Sequence, residues 1–288
     1  MAKIIVTSDS TCAMPRDIAS SIGLNILPLN VIVNGVEYHD GIDIDLNKLC
    51  LMMREGADIK TSTPTPYEIE SFFDGVFAKG ADHIIHFTIS HCLSSMFDLF
   101  TNICKEKYGN KVTVIDSLNV CSAMLQLVFT AKKMAEEGYS VNEIVDEIEL
   151  RKSEQLPIFF IPETLTYLKR GGRISPAVAA IGNFIGMKPV LSVKNGSLDK
   201  ETTTRNIKKT LSERVDQIVL MKLDPSIYQI DILQCDTNDS LLQWLKEVVK
   251  NKLPEFVCEI SNLSINVCAH AGPGTIGIAI NKKVGLPK

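Results

Sequence analysis

The residues best suited to chemistry are hydroxyl-bearing and acidic side chains that follow apolar runs in the first half of the sequence. Ser8-Asp9-Ser10-Thr11 follows one run, and Asp116-Ser117 follows another. A third run leads into residues 88–95, where four of the eight residues are Ser or Thr. If these runs are parallel strands, their ends meet at one sheet edge, where helix N-termini offer free amides and partial positive charge. Such an edge can bind an anion, although each side chain alone also fits a helix N-cap.

A second group of hydroxyls begins at Thr61 and Ser62 and continues through a Thr-Pro-Thr-Pro sequence. Thr65 and Glu68 match a capping box at a helix start, which explains Thr65 without any binding role. Thr61 and Ser62 precede that cap in a stretch that Pro64 biases towards extended backbone. We therefore expect both hydroxyls just outside a helix N-terminus, within reach of a bound anion.

Near the end of the chain, Gly272-Pro273-Gly274-Thr275-Ile276-Gly277 matches the G-x-G-x-x-G pattern of dinucleotide-binding loops. A dinucleotide site needs a helix after the loop and an acidic residue about 20 positions further on. Only 11 residues follow Gly277, the last glycine of the motif. We therefore expect a tight turn between two strands, with His270 after an alternating strand over 265–269. His270 is either a buried histidine with one hydrogen bond, or an anion donor if a second domain closes over the strand ends. His83 and His86 fall on opposite faces of a strand, which argues against a shared metal ion.

Common catalytic motifs are absent from the sequence, including the Walker phosphate loop, the H-E-x-x-H helix and the G-x-S-x-G elbow. Asp9 and Asp116 are candidate acid/base groups, but carboxylates at strand ends commonly cap helices. The eight cysteines form no C-x-x-C pair and have no histidines at zinc spacing, so we expect reduced core residues rather than disulfides or a metal site. The sequence predicts an anion cradle with no catalytic residue, no metal and no cofactor.

The elements that must position these residues follow two patterns along the chain. In the first half, β-branched runs alternate with longer helical stretches. The predicted strands there are residues 3–8, 26–33, 83–89 and 111–116. Strands that are apolar throughout and alternate with helices are typical of a parallel sheet covered on both faces.

After Leu156-Pro157 the pattern changes. Asn195-Gly196 marks a two-residue hairpin turn, and strands mix with helical segments rather than alternating regularly with them. The predicted strands are residues 158–161, 188–193, 196–202, 228–235, 257–262, 265–269 and 276–280. We therefore predict an α/β protein of two domains: residues 1–156 form a parallel α/β/α sheet domain, and residues 157–288 form a mixed sheet with helices on one face.

The composition limits the possible partners. A chain of 288 residues with 45% hydrophobic and 22% charged residues is not a disordered polymer. The net charge of −4 argues against nucleic-acid binding, which needs a basic face. Polar residues appear too early for a signal peptide, and no apolar run approaches the ~18 residues of a membrane span. We expect a soluble, cytoplasmic protein that binds a small apolar or mildly anionic molecule.

Taken in chain order, these segments resemble the DegV family, bacterial fatty-acid-binding proteins that serve as the lipid-carrying subunit of fatty acid kinase. The matching segments span nearly the whole chain and are Asp9-Ser10-Thr11, Thr61-Ser62-Thr63-Pro64, Ile89-Ser90-His91-Cys92-Leu93-Ser94, Ile115-Asp116-Ser117, residues 165–174 and His270-Ala271-Gly272-Pro273-Gly274. The Leu-x-Tyr-Leu-Lys-Arg-Gly-Gly-Arg-Ile stretch and the Thr-Ser-x-Pro element are together specific. The resemblance implies a two-domain α/β fold with a long-chain fatty acid held between the domains.

The resemblance also implies the parts of a carboxylate site. The fatty-acid carboxylate would meet Thr61, Ser62, Ser94 and His270. A companion fatty acid kinase would phosphorylate it to an acyl phosphate while this protein, itself non-catalytic, holds the lipid. After Ser94 the family usually has Gly-Thr where this chain has Ser-Met, so the side chain of Ser95 would either obstruct the carboxylate or add a donor.

The acyl chain needs an apolar tunnel. The stretch 176–187 is the best candidate for its wall in the second domain, with Ile181, Phe184 and Ile185 facing the lipid. An ordinary core helix explains any one of these residues at least as well.

Basic residues gather in the second half of a chain that is acidic overall. Arg170, Arg173 and Arg205 are candidates for docking an acidic kinase or for transient contact with anionic lipid head groups. A solvated surface is the ordinary alternative.

Two other functions remain open. The chain could be a phosphotransferase or hydrolase acting on a small phosphorylated substrate, with Asp9 or Asp116 and Ser94 as catalytic residues. It could also be a protein-interaction module, which predicts a tightly packed domain interface without an elongated cavity.

Overall fold

A computed structural model describes residues 2–174 and 186–287 of the chain. In the first domain, the helices and strands are β1 (Ile4–Asp9), α1 (Arg16–Ser21), β2 (Asn25–Leu27), β3 (Asn30–Val33), β4 (Val36–His39), α2 (Leu46–Arg54), β5 (Ile59–Ser62), α3 (Pro66–Phe77), β6 (His83–Thr88), α4 (Met96–Tyr108), β7 (Val112–Asp116), α5 (Cys121–Glu136) and α6 (Val141–Ser153). In the second domain they are β8 (Ile158–Ile161), α7 (Thr166–Arg170), β9 (Lys188–Lys194), β10 (Ser197–Thr204), α8 (Ile207–Leu220), β11 (Tyr228–Cys235), α9 (Asp239–Lys252), β12 (Cys258–Asn262), α10 (Ile265–Ala271) and β13 (Thr275–Lys282).

The apolar runs of the first half form a four-stranded parallel sheet in the order β2-β1-β6-β7. Alternate residues of β6 face opposite layers: Ile84 packs with α3 and α4, and Ile85 packs with α5 and α6. The sheet is therefore covered on both faces, as apolar parallel strands require.

The single strand predicted over 26–33 is two strands. Pro28 separates β2 from β3, because proline has no backbone N–H to donate and interrupts the ladder. β3 instead forms a separate antiparallel sheet in the order β4-β3-β5. β5, which the sequence did not predict, carries Thr61 and Ser62.

The second domain contains a six-stranded mixed sheet in the order β10-β9-β8-β13-β11-β12, in which β11 and β12 are the parallel pair. One face packs against α8 and α9 through residues such as Ile230 and Ile232. The other face, which includes Leu233, joins the apolar core of the first domain. The predicted fold class is confirmed, with the helices α8 and α9 on one face. The predicted boundary between residues 156 and 157 falls between α6 and β8 and stays a prediction. No helix in the described ranges is long and apolar enough to cross a bilayer.

The strand predicted over 265–269 is wrong: these residues belong to the helix α10. Ser264 caps the helix by accepting a hydrogen bond from Val267 N at 3.2 Å. Ile265, Cys268 and Ala269 are buried together because they lie on one helical face. Alternation over five residues cannot be told from one and a half helical turns, so the Gly-Pro-Gly turn joins a helix to β13 rather than two strands.

The cysteine prediction is wrong for two residues, since Cys235 and Cys268 form a disulfide. The end of β11 and the middle of α10 come together although 33 positions separate the two cysteines. The Sγ atom of Cys50, from α2, lies 3.5 Å from that of Cys235 and 3.6 Å from that of Cys268. These three buried sulfurs, which we call the sulfur cluster, connect the two domains.

Candidate functional site

A largely apolar cavity lies between the two domains. Its volume, including the part open to solvent, is about 1010 Å³. The apolar lining residues are Leu29, Ile89, Leu93, Met96, Val120, Ile158, Phe160, Leu168, Val193, Leu198, Leu233, Leu263, Val267 and Ala271.

Polar side chains from both domains meet in the wall of this cavity. The structure brings together Thr61 and Ser62 at the end of β5, Ser94 before α4, and His270 on α10. Thr61 Oγ1 and His270 Nε2 are hydrogen-bonded across the interface at 2.8 Å. We call these four residues the polar cluster. Three hydroxyls and one imidazole can donate hydrogen bonds to an anionic oxygen.

Ser95 does not join the polar cluster. It is exposed at the start of α4, makes no side-chain capping hydrogen bond, and is not among the lining residues described for the cavity. The expectation that its side chain would obstruct or assist a carboxylate has no support in this placement.

Electrostatics keep the polar cluster neutral. Burial and, to a smaller extent, the positive charge of Arg173 lower the pKa of His270 to about 4. His270 is therefore uncharged near neutral pH, and its Nδ1 atom is buried without a hydrogen-bond partner within the described structure. Arg173 itself lines the cavity, so it is the nearby positive charge for a bound anion.

Arg173 is a site residue whose position the sequence did not reveal, because it was assigned only to partner docking. Its Nε atom donates to Leu93 O at 3.2 Å and its Nη1 atom donates to Gly171 O at 2.5 Å. These bonds fix the guanidinium at the junction of the two domains. Arg170 and Arg205, the other two predicted docking residues, are exposed.

The Arg-Gly-Gly-Arg segment and the Gly-Pro-Gly turn pack closely against each other next to His270. A Cβ atom on Gly171 would lie 2.0 Å from His270 Nδ1, and one on Gly272 would lie 2.4 Å from Cδ2 of Tyr167. Both approaches are possible only without a side chain. The Arg-Gly-Gly-Arg segment therefore positions the imidazole, and the Gly-Pro-Gly turn makes room for the motif tyrosine.

The carboxylate of Asp9, at the end of β1, caps the turn that follows the strand. Asp9 Oδ1 accepts from Thr11 N at 2.8 Å and Oδ2 accepts from Ile89 N at 2.9 Å. Burial raises the pKa of Asp9 to about 6, an effect that these hydrogen bonds partly oppose. The Asp9 side chain is buried, and both of its carboxylate oxygens accept hydrogen bonds from the backbone. Asp9 therefore offers no acid/base group to the cavity. His83 and His86 have separate partners, Thr113 and Thr7, as their opposite faces predict.

The predicted tunnel residues Ile181, Phe184 and Ile185 lie outside the described residues. The lining that is described comes from strands and helices spread over both domains. Its side chains are ordinary core types, and nothing in their sequence pattern separates a residue that lines a cavity from one that fills a core.

A family model described as an uncharacterised DegV family matches residues 3–283. Among curated relatives, a DegV domain-containing protein of Clostridium perfringens is 32% identical and covers 95% of this chain and 97% of its own. One from Clostridium acetobutylicum is 31% identical and covers 98% of this chain and all of its own length.

Solved structures share the fold. A DegV family protein from Thermus thermophilus, described as binding fatty acid, is 28% identical with a TM-score of 0.87, covering 97% of this chain and 99% of its own. A DegV family protein from Streptococcus agalactiae is 21% identical with a TM-score of 0.87, covering 99% of this chain and 100% of its own. At that identity the second likeness concerns the fold alone.

Proposed function

Because this chain belongs to the DegV family, we propose that it binds a long-chain fatty acid between its domains and presents the carboxyl group to a partner kinase for phosphorylation. The observation that carries the proposal is a largely apolar cavity between the domains whose wall includes a neutral cluster of hydrogen-bond donors. The Thermus thermophilus relative, described as binding fatty acid, supports the same class of ligand.

The cavity supplies the affinity. Removing ~14 methylenes from water at ~0.8 kcal/mol each gives a gross driving force of ~11 kcal/mol before the costs of association. The apolar lining comes from both domains, so the lipid contributes to holding the domains together.

The polar cluster positions the head group. Thr61, Ser62, Ser94 and His270 can donate to the two carboxylate oxygens, and Arg173 provides a positive charge in the same wall. His270 is neutral, so the carboxylate is not neutralised by direct contact with an imidazolium. With neutral donors around it, and with Arg173 already hydrogen-bonded to Leu93 and Gly171, the carboxylate keeps its electron pairs available to a phosphoryl donor.

The kinase step needs an exposed docking surface beside this cluster. We propose that Arg170 and Arg205, which are exposed, contact an acidic partner or anionic lipid head groups. Arg173 is already bonded to Leu93 and Gly171, and we assign it to the head group rather than to the partner. A cytoplasmic location and a domain boundary at 156/157 belong to the same proposal.

Binding of palmitate to delipidated protein tests the first half of the proposal. Calorimetry should show one site per chain, and a Ser62→Ala/Ser94→Ala variant should bind at least about tenfold more weakly, since two hydrogen bonds at a net ~0.5–1.5 kcal/mol each amount to ~1–3 kcal/mol. Ser95→Ala is the matched control, because Ser95 is exposed and outside the cavity. Absence of binding, together with no lipid in fresh preparations by denaturing mass spectrometry, contradicts the proposal.

Phosphorylation of the bound lipid tests the second half. With a fatty acid kinase catalytic subunit and ATP, the wild-type protein should support acyl phosphate formation. In the Ser62→Ala/Ser94→Ala variant, the rate of acyl phosphate formation should fall by a larger factor than the affinity for palmitate. Equal transfer by both proteins contradicts the assigned head-group position. Turnover of a small phosphorylated substrate by the isolated chain would favour the phosphotransferase or hydrolase alternative instead.

A further inference from the structure

Three side chains that the proposed function does not use form a hydrogen-bonded series beside the cavity. His91 and Cys92 occupy the turn between β6 and α4, and Asp116 ends β7. Cys92 Sγ lies 3.4 Å from Nε2 of His91. The other ring nitrogen of His91, Nδ1, is hydrogen-bonded to Oδ2 of Asp116. A thiol, an imidazole and a carboxylate thus stand in the order that nucleophilic enzymes use.

Asp116 is fixed in place by the backbone. Its Oδ1 atom accepts hydrogen bonds from His91 N at 3.2 Å and from Leu118 N at 3.0 Å. The side chain of Asp116 is 10% exposed, against 51% for His91. An ionised carboxylate only accepts hydrogen bonds, so it holds the ring proton of His91 on Nδ1. The lone pair of Nε2 is then directed at the thiol of Cys92.

The thiol also lies close to the cavity. A surface hollow is lined by Cys92 together with Leu93, Arg173 and Leu198. Leu93, Arg173 and Leu198 line the fatty-acid cavity as well. The hollow and the cavity therefore share a wall, and Ser94 of the polar cluster is two residues from Cys92.

We propose that Cys92 is a nucleophile that accepts an acyl group from an activated long-chain fatty acid, either an acyl phosphate or an acyl thioester. His91 is its general base and Asp116 is a positioning residue. This inference rests on the proposed function for the presence of a long acyl chain at this place in the structure.

The transfer step needs no oxidant or further reactant. The thiol proton of Cys92 moves to Nε2 of His91, and the sulfur attacks the acyl carbon. The bond from that carbon to the phosphate oxygen breaks, and the phosphate leaves with the bonding electrons and takes the proton from His91. Arg173 supplies positive charge in the hollow beside the leaving phosphate. From an acyl thioester, a free thiol leaves instead of phosphate.

Alkylation by iodoacetamide tests the activated thiol independently of any lipid. Cys92 is exposed, whereas the other free cysteines are buried or half-buried, so peptide mapping can follow it separately. General bases contribute ~100-fold or more to reaction rates. His91→Gln should therefore slow the alkylation of Cys92 by at least about tenfold. Asp116→Asn should slow it less, and Asp116→Glu should recover part of the rate. Cys258→Ser is the control and should leave the rate at Cys92 unchanged.

Incubation with palmitoyl phosphate or palmitoyl-CoA tests the acyl transfer. Wild-type protein should gain one hydroxylamine-sensitive acyl group at Cys92, and Cys92→Ser should gain none. The donor that reacts faster identifies the source of the acyl group. The inference is wrong if Cys92 of the wild-type protein is alkylated no faster than Cys92 of the His91→Gln variant, or if neither acyl donor acylates it. Palmitate binding by the same protein preparation then shows whether the carrier function still stands.

Discussion

His270 joins the two domains at the polar cluster and is held uncharged by its surroundings. Burial and the charge of Arg173 lower its pKa to about 4 from an ordinary value of 6.5. Because the folded protein resists protonating this ring, the free energy of unfolding should decrease as the pH falls from about 6.5 towards 4. A bound carboxylate adds a negative charge beside the ring and should raise that pKa.

Palmitate binding should therefore take up protons at mildly acidic pH. Between the pKa of His270 in the free protein and the higher pKa in the complex, affinity should increase as the pH falls. Calorimetry in two buffers of different ionisation enthalpy measures the uptake. His270→Gln, which cannot titrate, should abolish it, and equal uptake by the variant would assign the proton to another group.

Gly171 tests the packing of the imidazole. An Ala side chain at this position would place Cβ 2.0 Å from His270 Nδ1, so the ring must leave the position in which it is bonded to Thr61. We expect Gly171→Ala to weaken palmitate binding at least about tenfold, a loss of ~1.4 kcal/mol. Gly75→Ala is the control: a Cβ there meets no neighbouring atom within 4 Å, so stability should rise by ~1 kcal/mol with binding unchanged. Unaltered affinity in Gly171→Ala would show that His270 does not bind the carboxylate.

At the scale of elements, the start of α3 was predictable in detail. Thr65 and Glu68 form the capping box that their spacing indicated, with Thr65 N donating to Glu68 Oε2 at 2.6 Å. Thr65→Ala should lower the free energy of unfolding by ~1 kcal/mol in urea denaturation. Ser95→Ala offers the comparison, because Ser95 occupies the N-cap position of α4 without a side-chain hydrogen bond and should cost little. Equal losses in the two variants would mean that the capping hydrogen bonds of Thr65 do not stabilise α3.

The errors in sequence-based prediction have physical causes. α10 was taken for a strand because its buried face repeats over too few residues to define a period. β5 was missed because Thr61 and Ser62 are polar residues in a sheet that lies apart from the main one. Residue types and spacing marked Thr61, Ser62, the hydroxyls of residues 88–95 and His270 as candidate anion binders, and the family motifs combined them into one carboxylate site. The role of Arg173 depends on a fold-back onto Leu93, 80 positions away, which no local pattern reveals.

At the scale of the whole molecule, the disulfide of the sulfur cluster, between Cys235 and Cys268, links α10 to β11. A cross-link that closes a loop of about this length stabilises a protein by ~3–4 kcal/mol in the loop-entropy model. Dithiothreitol should therefore lower the urea midpoint of the wild-type protein, and Cys235→Ser/Cys268→Ser should be insensitive to the reagent. A reductant effect that persists in the double variant would place the relevant bond elsewhere. Because α10 also carries His270, reduction should weaken palmitate binding as well.

The hydrogen bond between Thr61 and His270 has a consequence for turnover. In the empty cavity these two groups are hydrogen-bonded to each other at 2.8 Å, so a carboxylate that binds Thr61 or Nε2 of His270 replaces an existing bond. The net gain at these two atoms is then the small difference between bonds of similar strength, and the other side chains of the site, Ser62, Ser94 and Arg173, contribute the rest. If the bound lipid is phosphorylated as proposed, renewed pairing of Thr61 with His270 would favour release of the product and return the protein to its starting state.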